Sequence, residues 1–116
     1  EFILEIAQQL RERIVAPNEC IFKAGDFGKE VFFIAHGTVN IWDQSEEKVL
    51  NTLGKGNFFG EIALFKDLPR TATARANTYC DLYILNQHAF EEVFEGYPEI
   101  VKRIQLKAEQ RSQRLL

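Results

Sequence analysis

Between residues 60 and 71 the sequence reads GEIALFKDLPRT, and it holds the residue types that an anion site needs. Gly60 and Glu61 interrupt an apolar run and suit a turn that opens a short helix, since Ala63 and Leu64 favour helix. The first backbone N–H groups of such a helix, those of Glu61, Ile62 and Ala63, have no carbonyl of their own helix to bond. With the helix dipole they favour an anion, and Gly60 lets it approach the backbone closely. Arg70 follows Pro69, and its planar fork can grip two phosphate oxygens at once. Thr71 adds a hydroxyl donor beside it. Glu61 would repel a bare phosphate, so its carboxylate makes sense only if the same ligand also brings a hydroxyl. A phosphate tied to a ribose meets both demands. A second reading needs no ligand: Glu61 and Arg70 pair with each other and fix a loop.

The flanking elements must hold that corner in place. Phe2, Ile3, Ile6, Leu10 and Ile14 recur at helical spacing and Pro17 closes the segment, which predicts a helix over 1–14. From 19 to 85 come the runs CIFK, VFFIA, TVNIWD, KVLNTL, TATARA and YCDLYIL, separated by AGDFG, HG, DQSEE, LGKGN and KDLP. Short β-rich runs with such breaks predict an antiparallel sandwich or jelly roll, with Val39 and Ile41 turned to one face. Asn86 is placed to cap a helix through Phe94 that packs with Phe90, Val93 and Phe94. Gly96 ends it, and Pro98 suits the first position of a last helix over 98–116. One mainly β domain over 1–116 results, its roll over 19–85 flanked by an N-terminal helix and by C-terminal helices over 86–116.

Composition narrows the function classes. With 116 residues, 46% hydrophobic and 27% charged, the chain can build one real core. Its ten Phe suit the space between packed sheets. A net charge of −3 argues against a nucleic-acid partner. No apolar run approaches the roughly 20 residues that span a bilayer, so no direct membrane insertion by this segment is expected. Cys20 and Cys80 match no metal spacing and read as reduced core thiols. His36 and His88 belong to no ligand cluster, so neither a metal, a cofactor, a catalytic residue nor an enzyme is expected. The chain opens at Glu1 rather than Met and ends within a helical pattern, and is expected to be part of something longer.

The last helix carries its own pattern. Tyr97, Val101, Ile104, Ala108 and Leu115 form one stripe facing the body of the domain. Arg111 falls within it, and an arginine there needs a partner. It either snorkels past the edge or meets a carboxylate, or else it reaches a ligand. Lys102, Arg103, Lys107, Arg111 and Arg114 stand against Glu99 and Glu109, a net +3 in a chain of −3. A basic helix over an acidic body can dock and undock as a lid, or it can be an ordinary solvated face.

Residues 59–76, FGEIALFKDLPRTATARA, resemble the phosphate-binding cassette of cyclic nucleotide-binding domains. GDFGKEVFFIAHGTVNIW over 25–42 is similar to the strands that precede the cassette. RANTYCDLYIL, then F…YP and a long helix, resembles the cyclic nucleotide-gated and hyperpolarisation-activated channels. The resemblance covers nearly the whole chain. It implies a β jelly roll (a double-stranded β-helix) with an N-terminal helix, a short cassette helix and two C-terminal helices. It implies cAMP or cGMP as ligand, with Glu61 on the ribose 2′-hydroxyl and Arg70 on the cyclic phosphate. Gly60, Ile62 and Ala63 would line the phosphate turn. Thr71 stands where the family has Thr or Ala, and Thr there implies a further bond to guanine. Phe65 and Ala74 depart from the usual Leu and Val, touching packing only. In the final helix Arg111, Arg114 and Leu115 match positions that cap the purine. The implied whole is a cytoplasmic sensor of a tetrameric membrane channel. The alternatives are a regulatory domain of a kinase, exchange factor or transcription factor, and a jelly-roll interaction domain that binds no ligand.

Overall fold

The computed structural model describes residues 2–115, with side chains described from 6 to 111. In chain order the elements are α1 (Phe2–Gln9), β1 (Arg11–Val15), β2 (Cys20–Phe22), β3 (Glu30–His36), β4 (Val39–Trp42), β5 (Val49–Leu53) and β6 (Phe58–Phe59). There follow α2 (Ile62–Phe65), β7 (Thr73–Ala76), β8 (Cys80–Asn86), α3 (Gln87–Phe94) and α4 (Pro98–Leu115). The strands form two four-stranded antiparallel sheets, ordered β1-β8-β3-β6 and β2-β7-β4-β5.

Their facing sides make the main core. Val15, Phe32, Ile34, Phe59, Leu82 and Ile84 from one sheet meet Ile21, Val39, Leu53, Ala74 and Ala76 from the other. The two alanines of β7 leave room for the stacked rings of Phe32 and Phe59, whose centroids lie 5.0 Å apart. Strand β3 is buried on both faces, which is why VFFI reads as a continuous apolar run. Its alternate residues Val31 and Phe33 belong to a second cluster with Leu85, Phe90, Val93, Phe94 and the partly buried Val101 and Ile104 of α4. That cluster fastens the helices to the outside of the roll.

Asn86 caps α3 as its position predicts, its side chain accepting from the Ala89 N–H at 2.8 Å. The N-terminal expectation needs correction. The helix ends at Gln9, and Arg11–Val15 instead pairs with β8 from Arg11↔Ile84 to Val15↔Cys80. Ile14, counted into a helical stripe, is 62% exposed, whereas its neighbour Val15 is fully buried. Edge pairing with β8 overrides an apolar spacing that only happens to fit 3.6 residues. The roll therefore starts at residue 11 rather than 19. The two-residue β6 also went unpredicted, being too short to show any period. Of the two thiols, Cys80 is buried as expected but Cys20 is only half-buried.

The turn between β3 and β4 depends on Gly37, whose φ is +93° and whose Cβ, were there one, would lie 2.2 Å from the Tyr79 carbonyl oxygen. Gly37→Ala is expected to cost about 3 kcal/mol or more, because both the backbone and the contact resist it. Urea unfolding measures this, and a loss below about 1 kcal/mol would show that the turn yields easily.

Candidate functional site

The corner forms where β6 runs out. Phe58 and Phe59 pair with Phe33 and Phe32 of β3, and the chain then turns through Gly60 at φ +86°. A Cβ at position 60 would sit 2.8 Å from the Glu30 carbonyl oxygen and 3.0 Å from the Arg70 guanidinium. Only glycine allows that approach. The next residues make the single helical turn α2, with Glu61 at its N-terminal cap and no side-chain capping bond. Ile62 and Ala63 open that turn, so no carbonyl of their own helix meets their N–H groups.

Arg70 is held from several sides. Its backbone N–H donates to Asp26 O at 2.7 Å, and its carbonyl accepts from the Gly25 N–H at 2.7 Å. The guanidinium donates from Nη1 to Gly60 O at 2.8 Å and from Nη2 to Glu30 O at 3.0 Å. It lies over the Phe22 ring, 4.2 Å from the centroid. Burial lowers its pKa from the usual value, and the charges of Glu30, Asp26 and Glu61 oppose that. Its Nε is buried without a hydrogen-bond partner. Thr71 lines the same cavity beside it.

Glu61 is 1% exposed. Its ion-pair partner is Arg111 of α4, whose Nη1 donates to Oε1 at 2.6 Å and also to Phe58 O at 2.7 Å. The Arg111 guanidinium sits 5.0 Å from the centroid of the Phe58 ring. The pairing of Glu61 with Arg70 is thereby corrected: both residues reach the corner, but Arg70 spends its bonds on backbone carbonyls and Arg111 takes the carboxylate. Of the readings open for Arg111, meeting a carboxylate is the one realised. Ala108, one turn before it, is 1% exposed, and α4 packs against α2. Glu61 Oε2 remains buried without a partner.

Burial, the largest influence, raises the pKa of Glu61, while the Arg111 charge, hydrogen bonds from its own backbone N–H and from Arg111, and the Arg70 charge pull it back. A carboxyl whose folded pKa lies above its unfolded one contributes its full stability below about pH 4.3, and loses it as pH rises through the folded value. Glu61→Gln is expected to remove that loss. Its stability relative to wild type should climb as pH rises from about 4 to 7. Parallel curves in urea unfolding would show that burial does not govern this carboxyl.

Gly60, Glu61, Ile62, Ala63, Arg70, Thr71 and Arg111 all line one cavity of about 180 Å³. The side chains of Arg114 and Leu115 lie outside the described residues. The cavity also takes in Phe22 and, from β4 and β5, Ile41, Leu50, Asn51 and Leu53. Sequence reasoning did not assign these residues to the site. Of these, Leu50 and Asn51 are exposed on a strand buried only at Leu53, so no burial pattern in the sequence marks them. Two buried polar atoms among the lining residues, a donor on Arg70 and an acceptor on Glu61, have no hydrogen-bond partner among the described residues.

Residues 12–97 match the family model of the cyclic nucleotide-binding domain, to which the chain belongs. Among its relatives are the potassium/sodium hyperpolarization-activated cyclic nucleotide-gated channel 4 of Homo sapiens and channel 2 of Mus musculus. They are 35% and 34% identical over 98% of this chain. The chain spans only 9% and 13% of those two proteins. A solved structure titled Sp-2Cl-cAMPS bound to PKAR CBD2 superposes with a TM-score of 0.80 at 29% identity, over 96% of this chain and 73% of that one. The Thermus thermophilus catabolite activator protein shares the fold, with a TM-score of 0.83 at 22% identity over 95% of this chain and 55% of that one. The jelly-roll fold expected from the sequence is thus the one observed.

Proposed function

We propose that this chain binds a cyclic nucleotide, cAMP or cGMP, and serves as the cytoplasmic sensor of a tetrameric ligand-regulated channel rather than as an enzyme. The observation that carries the reading is the pair of orphaned atoms, Arg70 Nε and Glu61 Oε2, on residues that line one cavity. Arg70 has five N–H donors and spends two on the carbonyls of Gly60 and Glu30, so three remain for a phosphate. The N–H groups of Ile62 and Ala63 add to that grip. Glu61 keeps Oε1 on Arg111 and turns Oε2 to a ribose hydroxyl. The base is then left to the β4–β5 wall and Thr71, with Arg114 and Leu115 as further contacts from the last helix.

Arg111 gives this binding a mechanical consequence. It reaches the ligand-binding carboxylate from α4, so a ligand on Glu61 bonds better when α4 is docked and favours the docked population. In a channel that bias acts on the segments joined to the domain. The family relationship to the hyperpolarization-activated channels supports this host, while the likeness to a kinase regulatory domain supports the same sensor in another host.

Grafting the chain in place of the matching segment of the human channel 4 tests the proposal. Under voltage clamp the chimera should shift its activation when cAMP reaches the cytoplasmic face, and an Arg111→Ala chimera should respond less. Normal currents with no cAMP response, in a chimera that binds cAMP, would favour the kinase-type host.

A further inference from the structure

The strand wall of the cavity rests on a strand with little burial of its own. β5 is the outer strand of its sheet, and only Leu53 of its five residues is buried. Yet Leu50, Asn51 and Leu53 line the cavity. Apolar burial anchors one end of β5, so beyond its pairing with β4 polar contacts must hold the rest. Midway, the Thr52 hydroxyl donates to Asn40 Oδ1 at 2.7 Å. At the other end the chain turns through residues 43–48, closed by the Asp43 N–H on Lys48 O at 3.0 Å. Within that turn Glu46 takes a left-handed backbone with φ +58°, where glycine or asparagine is the usual residue. The side chain explains the glutamate. Arg75 of β7 donates from Nε to Glu46 Oε1 at 2.9 Å, and its Nη2 lies 2.8 Å from the same oxygen. Its Nη1 donates to the Asn18 carbonyl at 3.2 Å. Asn18 is also left-handed, with φ +68°, and is fixed to β7 by its N–H on Ala76 O at 2.7 Å. One guanidinium thus joins two left-handed turns, one before β2 and one after β4.

We propose that Arg75 and Glu46 clip the β4–β5 hairpin to β7 and so hold the strand wall in its ligand-binding position, a role that rests on the cyclic-nucleotide reading. Both are positioning residues, since neither is among the described residues that line the cavity. With the clip closed the wall is preorganised. With it open, the outer half of β5 hangs on β4 alone and a ligand must order it on binding, which lowers affinity. The loss is bounded by what the clip itself contributes. Both side chains are about one-third exposed, and water screens such a pair, so a two- to fivefold effect is about the limit. Trp42 reports on the hairpin directly: it is the one tryptophan of the chain and pairs with Val49 at the hairpin's base.

The test compares wild type with Glu46→Gly, which cuts the clip and at the same time suits the left-handed backbone. These two effects on stability oppose one another, so the variant is expected to melt close to wild type, and Glu46→Asn serves as a second variant if it does not. Calorimetric titration with cAMP and cGMP should show binding weakened about two- to fivefold. Arg75→Gln should lose a similar factor, and the double variant should lose no more than either single one. In the nucleotide-free Glu46→Gly protein the Trp42 emission should shift to the red, and saturating nucleotide should reverse the shift. A clip that served the turn alone would alter melting and leave affinity untouched. Wild-type affinity in Glu46→Gly would therefore overturn the proposal, and so would losses that add in the double variant. Wild type that binds neither nucleotide would sink the cyclic-nucleotide reading, whereas an unshifted Trp42 emission would sink the clip whatever the ligand.

Discussion

Arg70→Ala is expected to weaken cAMP binding by about a hundredfold or more, because it removes a pair of charge-assisted hydrogen bonds to the phosphate, each worth about 1.5–3 kcal/mol. The substitution also strips the half-buried carbonyls of Gly60 and Glu30 of this donor. An additional stability loss of about 2–4 kcal/mol is therefore expected, and binding must be measured well below the variant's unfolding temperature. Arg70→Lys separates the two roles of the side chain. Lysine keeps the charge but not the planar fork, so it should bind cAMP with an intermediate affinity. If Arg70→Lys bound as tightly as wild type, the fork would not be what holds the phosphate. Circular dichroism on each variant checks that the roll is intact.

Removing the other guanidinium acts first on the fold. Arg111→Ala leaves a carboxylate that is 1% exposed without its counter-charge, and breaking a buried pair in this way costs about 3–5 kcal/mol. The loss has a pH signature. Without Arg111 the pKa of Glu61 should rise further, since that charge is the foremost influence lowering it. Acidification then neutralises the stranded carboxyl and returns part of the stability. The double variant Glu61→Gln/Arg111→Ala should recover much of it at neutral pH, because no charge remains to be buried. Urea unfolding of the four proteins closes the cycle. Additive effects would mean that the two side chains do not interact in solution. Cyclic AMP affinity should fall about tenfold in Arg111→Ala, because the bond that ties Glu61 to α4 and orients its carboxylate is gone.

How much of this was legible in the sequence depended on how local each feature was. The corner could be read because Gly60, Glu61, Ile62, Ala63, Arg70 and Thr71 lie within twelve residues, and a glycine turn followed by a short helix fixes their relation. The Asn86 cap and the Pro98 start were equally local. The partner of Glu61 was not local: spacing offered Arg70 for it, whereas Arg111 stands fifty residues away. Only the packing of α4 on α2 decides that the distant arginine takes the carboxylate. The strand wall of the cavity was invisible for a related reason, since β5 is exposed along all but its last residue and carries no alternation to mark an inward side. The first strand was misread because a helical stripe and an edge strand can share the same apolar positions. Ile14 fitted the stripe and nevertheless points to solvent.

The central claim, that Glu61 and Arg70 form a socket for a cyclic phosphate on a ribose, is tested most directly by calorimetric titration of the folded chain, freed of any carried-over nucleotide, with cAMP and cGMP. The account predicts saturable binding at one site per chain for at least one of them, with the heat abolished in Arg70→Ala at the same concentrations. Folded wild-type protein that gives no heat with either nucleotide would contradict it, and would leave the buried corner with only a structural role.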